Sequence, residues 1–208
     1  NNGTIRLAGF GDTGCRDNSD QDCGDDDEWP LRSLANSAAG DFPDLVIHVG
    51  DYRYSHKSDS DRWEYWYQEF FYPAQALLLE APWAMARGNH ETCGYSSTSG
   101  KRAPWGTGWF YLLQQETIAN STSCDEDPHT QLPPWYFDVA VKSGSSVSSE
   151  HRFVIMDTSD DKDTQVQISN FSTMIDRTAE VDSAWWVGHR PIWGVKSDVS
   201  GTEPSAIE

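Results

Sequence analysis

The chain has 208 residues, 37% of them hydrophobic and 12% aromatic, with ten tryptophans. That is enough apolar mass to build a core, and it excludes a disordered chain. The formal net charge of -18 excludes a general basic field for nucleic acid or anionic membranes, and no apolar run approaches the ~18–20 residues of a membrane span.

In chain order, Thr4–Phe10 reads as a first strand running into Gly11-Asp12-Thr13-Gly14. No signal peptide is visible and Asn1 lies almost directly before that strand, so the numbering looks like that of a mature or trimmed chain. The loop Thr13–Asp27 crowds Asp20, Asp22, Asp25, Asp26 and Asp27 without the regular spacing of a calcium loop, and reads as solvated. A helix is predicted over Trp29–Ala39, with Pro30 in its first turn, Leu31, Leu34, Ala35 and Ala38 on one face, and Gly40 as its stop. Leu45–Val49 is a short buried strand ending in Gly50-Asp51-Tyr52-Arg53-Tyr54. Strand, helix, strand makes a right-handed βαβ unit with a parallel pair.

A second helix is predicted over Asp61–Tyr72, capped by Asp61 with Glu64 and ended by Pro73. Its stripe of Trp63, Trp66, Tyr67, Phe70 and Phe71 reads as core. A shorter helix over Ala74–Leu79 follows, and Trp83–Ala86 is the third strand, leading through Arg87 into Gly88-Asn89-His90-Glu91. Thr92–Pro134 is long and irregular, a lid or functional loop that Trp105, Trp109, Phe110 and Tyr111 can pack down. Trp135–Val141 and His151–Met156 read as an antiparallel pair joined by the Ser/Gly-rich link Lys142–Ser149. Ile168, Phe171, Met174, Ile175 and Thr178 mark a helix, and Ala184–Val187 a strand running into Gly188-His189-Arg190-Pro191. Asp198–Glu208 carries no periodic signal. With no repeat and no boundary, the expectation is a single domain over residues 1–208.

Cys15, Cys23, Cys93 and Cys124 form no CxxC pair, which argues against a zinc ribbon, and they allow three pairings. Cys15–Cys23 with Cys93–Cys124 is favoured, since each bridge closes a polar loop beside one of the polar turns. With the sequons at Asn2, Asn120 and Asn170, the cysteines point to a secreted or periplasmic, glycosylated protein.

The chemistry lies in the turns. A carboxylate at the carboxyl end of a buried strand sits where open α/β folds place ligands. Four successive turns here carry an acid, amide or imidazole. Asp12, Asp51 and Tyr54 offer hard oxygens, Asn89 a carbonyl oxygen and His189 an imidazole, a donor set for first-row metals. A carboxylate between two turns can bridge two cations, which ~3.5–4 Å apart polarise a phosphoryl group. His90 then faces the substrate as a general acid. His48, in an apolar run, reads as a satisfied core histidine. His56 and His129 lie on polar loops, and Asp157 is a sheet-edge carboxylate left out of the ligand set.

Gly-Asp-Thr-Gly, Gly-Asp-Tyr-Arg-Tyr, Gly-Asn-His-Glu and Val-Gly-His-Arg-Pro, in this order, resemble the calcineurin-like metallophosphoesterase superfamily. Asp12-x-Gly14 and Asp51-x-x-Tyr54 are similar to its purple acid phosphatase branch. The resemblance spans about Ile5 to Val195 and implies a four-layer α/β/β/α sandwich. It implies Asp12 and Tyr54 on a first, ferric site, Asp51 as bridge, and Asn89 and His189 on a second site of iron, zinc or manganese. It further implies His90 as acid catalyst. Arg190 and His56 are candidate substrate contacts.

The resemblance also implies a closing Gly-His-x-His, and none lies between His189 and Glu208. The expectation is that the natural protein continues past Glu208 and that the sandwich is incomplete at this end. The function expected is hydrolysis of phosphate monoesters of small molecules by a metal-bound hydroxide, with His90 as general acid. The alternatives are a phosphodiesterase or nucleotide hydrolase on the same site, and a non-catalytic binding protein that kept the fold.

Overall fold

The computed structural model describes residues 4–16, 21–54, 63–91, 109, 113, 131–159, 164–191, 194–197 and 204–207. Two sheets and their helices carry the fold. The first sheet is β1 (Leu7–Phe10), β2 (Leu45–His48) and β3 (Trp83–Met85), in that order and all parallel. The second is β4 (Trp135–Ser143), β5 (Ser146–Ile155) and β6 (Ser183–Val187), with β4 antiparallel and β6 parallel to β5.

β2 shows why one layer forms on each side of its sheet. Its residues are apolar on both faces, as a strand covered twice must be. Leu45 and Ile47 pack with Ala84, Ala86, Phe153, Ile155 and Val187, so the two sheets meet face to face. Val46 faces the other way, against Ala35 of α1 (Leu31–Gly40) and Leu77 of α3 (Gln75–Glu80). On the far side of the second sheet, Val154 and Met156 meet Met174 of α4 (Thr164–Thr178), and Phe171 stacks on Trp186 with centroids 4.7 Å apart. The layers are therefore helix, sheet, sheet, helix, the sandwich that the motifs imply.

Several local expectations differ from the structure. Pro30 stands at the N-cap rather than inside the first turn. Gly40 is the last helical residue, and the chain leaves through Asp41 and then Phe42, which takes the left-handed backbone at φ 51. The aromatic helix is regular only over Trp63–Trp66 (α2) and then widens into a π-helical turn, Tyr67–Phe71. The widening carries the Tyr72 N–H to Tyr67 O at 2.7 Å. Within the stripe, Trp66 and Phe70 are fully buried, but Trp63 and Tyr67 are 53% and 43% exposed, so only part of it is core. The β4–β5 hairpin runs through most of the predicted link and turns at Gly144. The tail contains a two-stranded antiparallel ribbon, β7 (Gly194–Ser197) with β8 (Pro204–Ile207).

Cys15 and Cys23 are bonded. Cys93–Cys124, His56, His129, the Asp61 cap, Trp105, Phe110 and Tyr111 lie outside the described residues. Trp109 is buried and stacks on Tyr52, centroids 5.3 Å apart. No helix among the described residues is long and apolar enough to cross a membrane.

Candidate metal centre

β1 and β2 are parallel neighbours, so their exit turns emerge side by side. Backbone bonds join the turns. Val49 N–H donates to Phe10 O at 2.9 Å, Asp12 N–H to Gly50 O at 3.0 Å, and Gly14 N–H to Asp51 O at 3.1 Å. Asp12 and Asp51 both adopt left-handed backbone, φ 54 and 59. Such strain persists only where its surroundings over-determine it, and it clusters at functional sites.

Tyr54 spans the two carboxylates. Its hydroxyl lies 2.6 Å from Asp12 Oδ1 and 2.9 Å from Asp51 Oδ2. Burial, then the bond to Asp12 and the charge of Asp51, hold the phenol pKa above the ordinary tyrosine range. Gly14 packs so tightly under this residue that a Cβ there would meet Tyr54 N at 2.6 Å.

The third and fourth turns close on the same spot. His189 Nδ1–H donates to Val49 O at 3.0 Å, which leaves Nε2 as a lone pair. That Nε2 is 2.8 Å from Asn89 Oδ1 and 3.4 Å from Asp51 Oδ2. Three acceptors thus point at one another. Asp12, Asp51 and His189 offer ligand atoms all within 4.8 Å of one another. Converging lone pairs of this kind repel unless a cation or a shared proton lies between them, so the donor set fits a first-row metal.

His90 sits over the same centre. Its N–H donates to Asp51 Oδ1 at 2.9 Å, and its ring meets Tyr54 edge-on, centroids 4.5 Å apart. Its Nε2 is 4.0 Å from Asp51 Oδ2, and the side chain is 37% exposed. The ring therefore has both the carboxylate and solvent in reach. Arg190 is fixed through its backbone: its N–H donates to Thr158 Oγ1 at 2.9 Å and its carbonyl accepts from the same hydroxyl at 3.1 Å.

Glu91 is a part of the site that reading the sequence did not assign. It is fully buried, and its carboxylate accepts the N–H groups of Asp51 (2.8 Å), Tyr52 (3.0 Å) and Gly88 (2.9 Å). Burial, with the charge of Asp51 behind it, pushes its pKa up to about 7. Gly88 permits the approach, because a Cβ there would sit 2.1 Å from Asp51 N. The only hint in the sequence is the acid closing Gly-Asn-His-Glu. Nothing local says that it turns inward to bind the neighbouring turn.

His48 is the satisfied core histidine expected. Its Nδ1 accepts from Gly50 N–H at 3.1 Å, so Nε2–H donates to Thr13 Oγ1 at 2.9 Å. The ring stacks on Tyr52, and burial, reinforced by His189, lowers its pKa to about 3. Asp157 is engaged elsewhere. It pairs with Arg87 Nη2 at 3.1 Å and accepts from Leu132 N–H at 2.8 Å and Ser159 N–H at 3.1 Å.

Comparison with known proteins places these turns in context. A family model described as calcineurin-like phosphoesterase matches residues 5–203. No curated protein sequence matches the chain. Among solved structures, a purple acid phosphatase isolated from yellow lupin (Lupinus luteus) seeds is similar, 17% identical with a TM-score of 0.49. The match covers 90% of this chain and 31% of that one, so this chain spans about a third of that protein's length.

Proposed function

The chain belongs to the calcineurin-like phosphoesterase family, and from that premise we propose that it hydrolyses phosphate monoesters of small molecules at a two-metal site. The observation supporting this most directly is the meeting of His189 Nε2 with Asn89 Oδ1 and Asp51 Oδ2, three acceptors turned toward one another. In this reading Asp12 and Tyr54 would hold one cation, Asn89 and His189 the other, and Asp51 would serve both. Iron paired with iron, zinc or manganese suits that mixture of oxygens and one imidazole. When bound, such a pair supplies Lewis acidity and an activated water.

The chain's own residues do the rest. Glu91 and the laced turns fix the distance between Asp51 and Asn89. Tyr54 would serve as a ligand in its phenolate form, its proton released to solvent. His90 delivers a proton to the departing alcohol, from a ring held against Tyr54 and reached by solvent. Arg190 and His56 remain proposed substrate contacts. The Cys15–Cys23 bridge supports a secreted or periplasmic setting.

Elemental analysis of the purified protein tests the metals: two first-row ions per chain, iron among them, is the expected result, and none overturns the reading. His90→Ala tests the acid role. It is expected to leave metal content intact and to slow alkyl phosphates by ~10²–10⁴-fold, with aryl phosphates less affected. A full rate on alkyl phosphates would remove His90 from the mechanism. Comparing monoester with diester rates decides between a phosphomonoesterase and a phosphodiesterase.

A further inference from the structure

We propose that Arg16 is a substrate-binding residue of this site, gripping a terminal oxygen of the phosphoryl group and so favouring monoesters over diesters. The inference rests on the phosphoesterase reading above and adds a residue and a selectivity to it.

Three observations meet at Arg16. First, its guanidinium lies over the Tyr54 ring, 4.6 Å from the centroid. Tyr54 in turn touches both Asp12 and Asp51 through its hydroxyl, so Arg16 stands one residue removed from the two carboxylates. Second, His90 approaches the same ring from its edge, which puts a guanidinium and an imidazole around one tyrosine at the mouth of the centre. Third, the backbone that presents Arg16 is fixed although its side chain is exposed. Cys15 is fully buried and bonded to Cys23. Arg16 N–H donates to Gln21 Oε1 at 2.8 Å, and Gln21 Nε2 donates to Glu28 O at 2.7 Å.

The chemistry gives this placement a purpose. With Asp12 and Asp51 occupied by the cations of the proposed centre, a terminal phosphoryl oxygen turned away from those cations needs a donor from the protein. A guanidinium is permanently charged and carries five donors in a planar fork that matches phosphate oxygens. It can hold Tyr54 and an oxyanion together. A monoester has one more terminal oxygen than a diester, and that oxygen is the one Arg16 would take. In a diester the same position carries a second, uncharged substituent. If Arg16 served only to pack on the tyrosine, its removal would affect both esters alike.

The test uses Arg16→Gln and Arg16→Lys with p-nitrophenyl phosphate, bis(p-nitrophenyl) phosphate and inorganic phosphate as a competitive inhibitor. For Arg16→Gln, KM for the monoester and Ki for phosphate are expected to rise about 10- to 100-fold, the worth of a charge-assisted hydrogen bond. Diester kinetics and metal content are expected to stay near native. Arg16→Lys is expected to recover part of the phosphate affinity. An unchanged Ki for phosphate, or equal losses on both esters, overturns the inference while leaving the phosphoesterase reading standing. A native protein that turns over neither ester and holds no metal overturns both.

Discussion

Two buried carboxylates sit at strand ends on opposite sheets, and they have met different fates. Asp51 follows β2 and is 2% exposed; Asp157 follows β5 and is 7% exposed. Asp157 is completed by the protein itself, with Arg87 opposite its charge and main-chain and hydroxyl donors from Leu132 and Ser159 around it. Asp51 takes a main-chain N–H from His90 and the Tyr54 hydroxyl, but no arginine or lysine pairs with it among the described residues. Its remaining neighbours are acceptors. The lesson is that burial does not make a carboxylate a ligand. What marks a candidate is a shell with no arginine or lysine opposite its charge and with further lone pairs aimed at it.

Substitutions at the two positions can break that comparison. The largest effect is expected from Asp51→Asn, which removes the shared oxygen donor: metal content and ester hydrolysis should fall together toward zero, read by elemental analysis and turnover on one sample. Asp157→Asn should act on stability instead. It removes the carboxylate charge opposite the buried Arg87, a loss of about 3–5 kcal/mol in denaturant unfolding, with metal content per folded chain unchanged. If Asp157→Asn stripped the metals and Asp51→Asn merely lowered stability, the contrast would be inverted.

A smaller effect sharpens it from the proton side. His48 lies beneath the Asp12 turn and stays neutral in the fold, with a pKa of about 3 against an ordinary 6.5. The unfolded chain therefore binds a proton below pH 6.5 that the native chain refuses until about pH 3. Its contribution is present above pH 6.5 and lost as the pH falls. Stability should drop by up to about 1.4 kcal/mol per pH unit across that window from this residue. His48→Asn keeps an acceptor for Gly50 N–H and should remove that part of the slope. An identical pH dependence in both proteins would mean that His48 is protonated in the fold.

The order of elements and the four polar turns were legible because their signals are local. A short apolar run followed by Gly-Asp, Gly-Asn-His or Gly-His states both the strand and the side chain that it presents. What could not be read depends on distant partners. Glu91 is an ordinary acid until it turns inward to the Asp51 backbone. Arg87 is a linker residue until Ser159 and Asp157 reach it from the other sheet. Arg16 sits in an acidic loop, and only the tyrosine from the next turn gives it a place. The helix errors have the same origin. Gly40 is the better stop by propensity, yet the chain turns at Phe42, where Asp44 N–H and Leu45 N–H both bond Arg6 O and fix the entry to β2. Within the π-helical turn, Glu69 meets Arg53 of the Asp51 turn at 2.9 Å, a partner that no heptad-like count contains.

The three-point hold of Glu91 also limits how this centre can change over generations. One carboxylate spans two loops, so the separation of Asp51 from Asn89 is set by the width of a single side chain. A drift in either loop is transmitted to the other, and substitutions that re-tune one cation alone have no independent coordinate to act on. Variants with altered metal preference should therefore arise at the rim, near Tyr54 and His189, and leave the Gly88–Glu91 corner untouched.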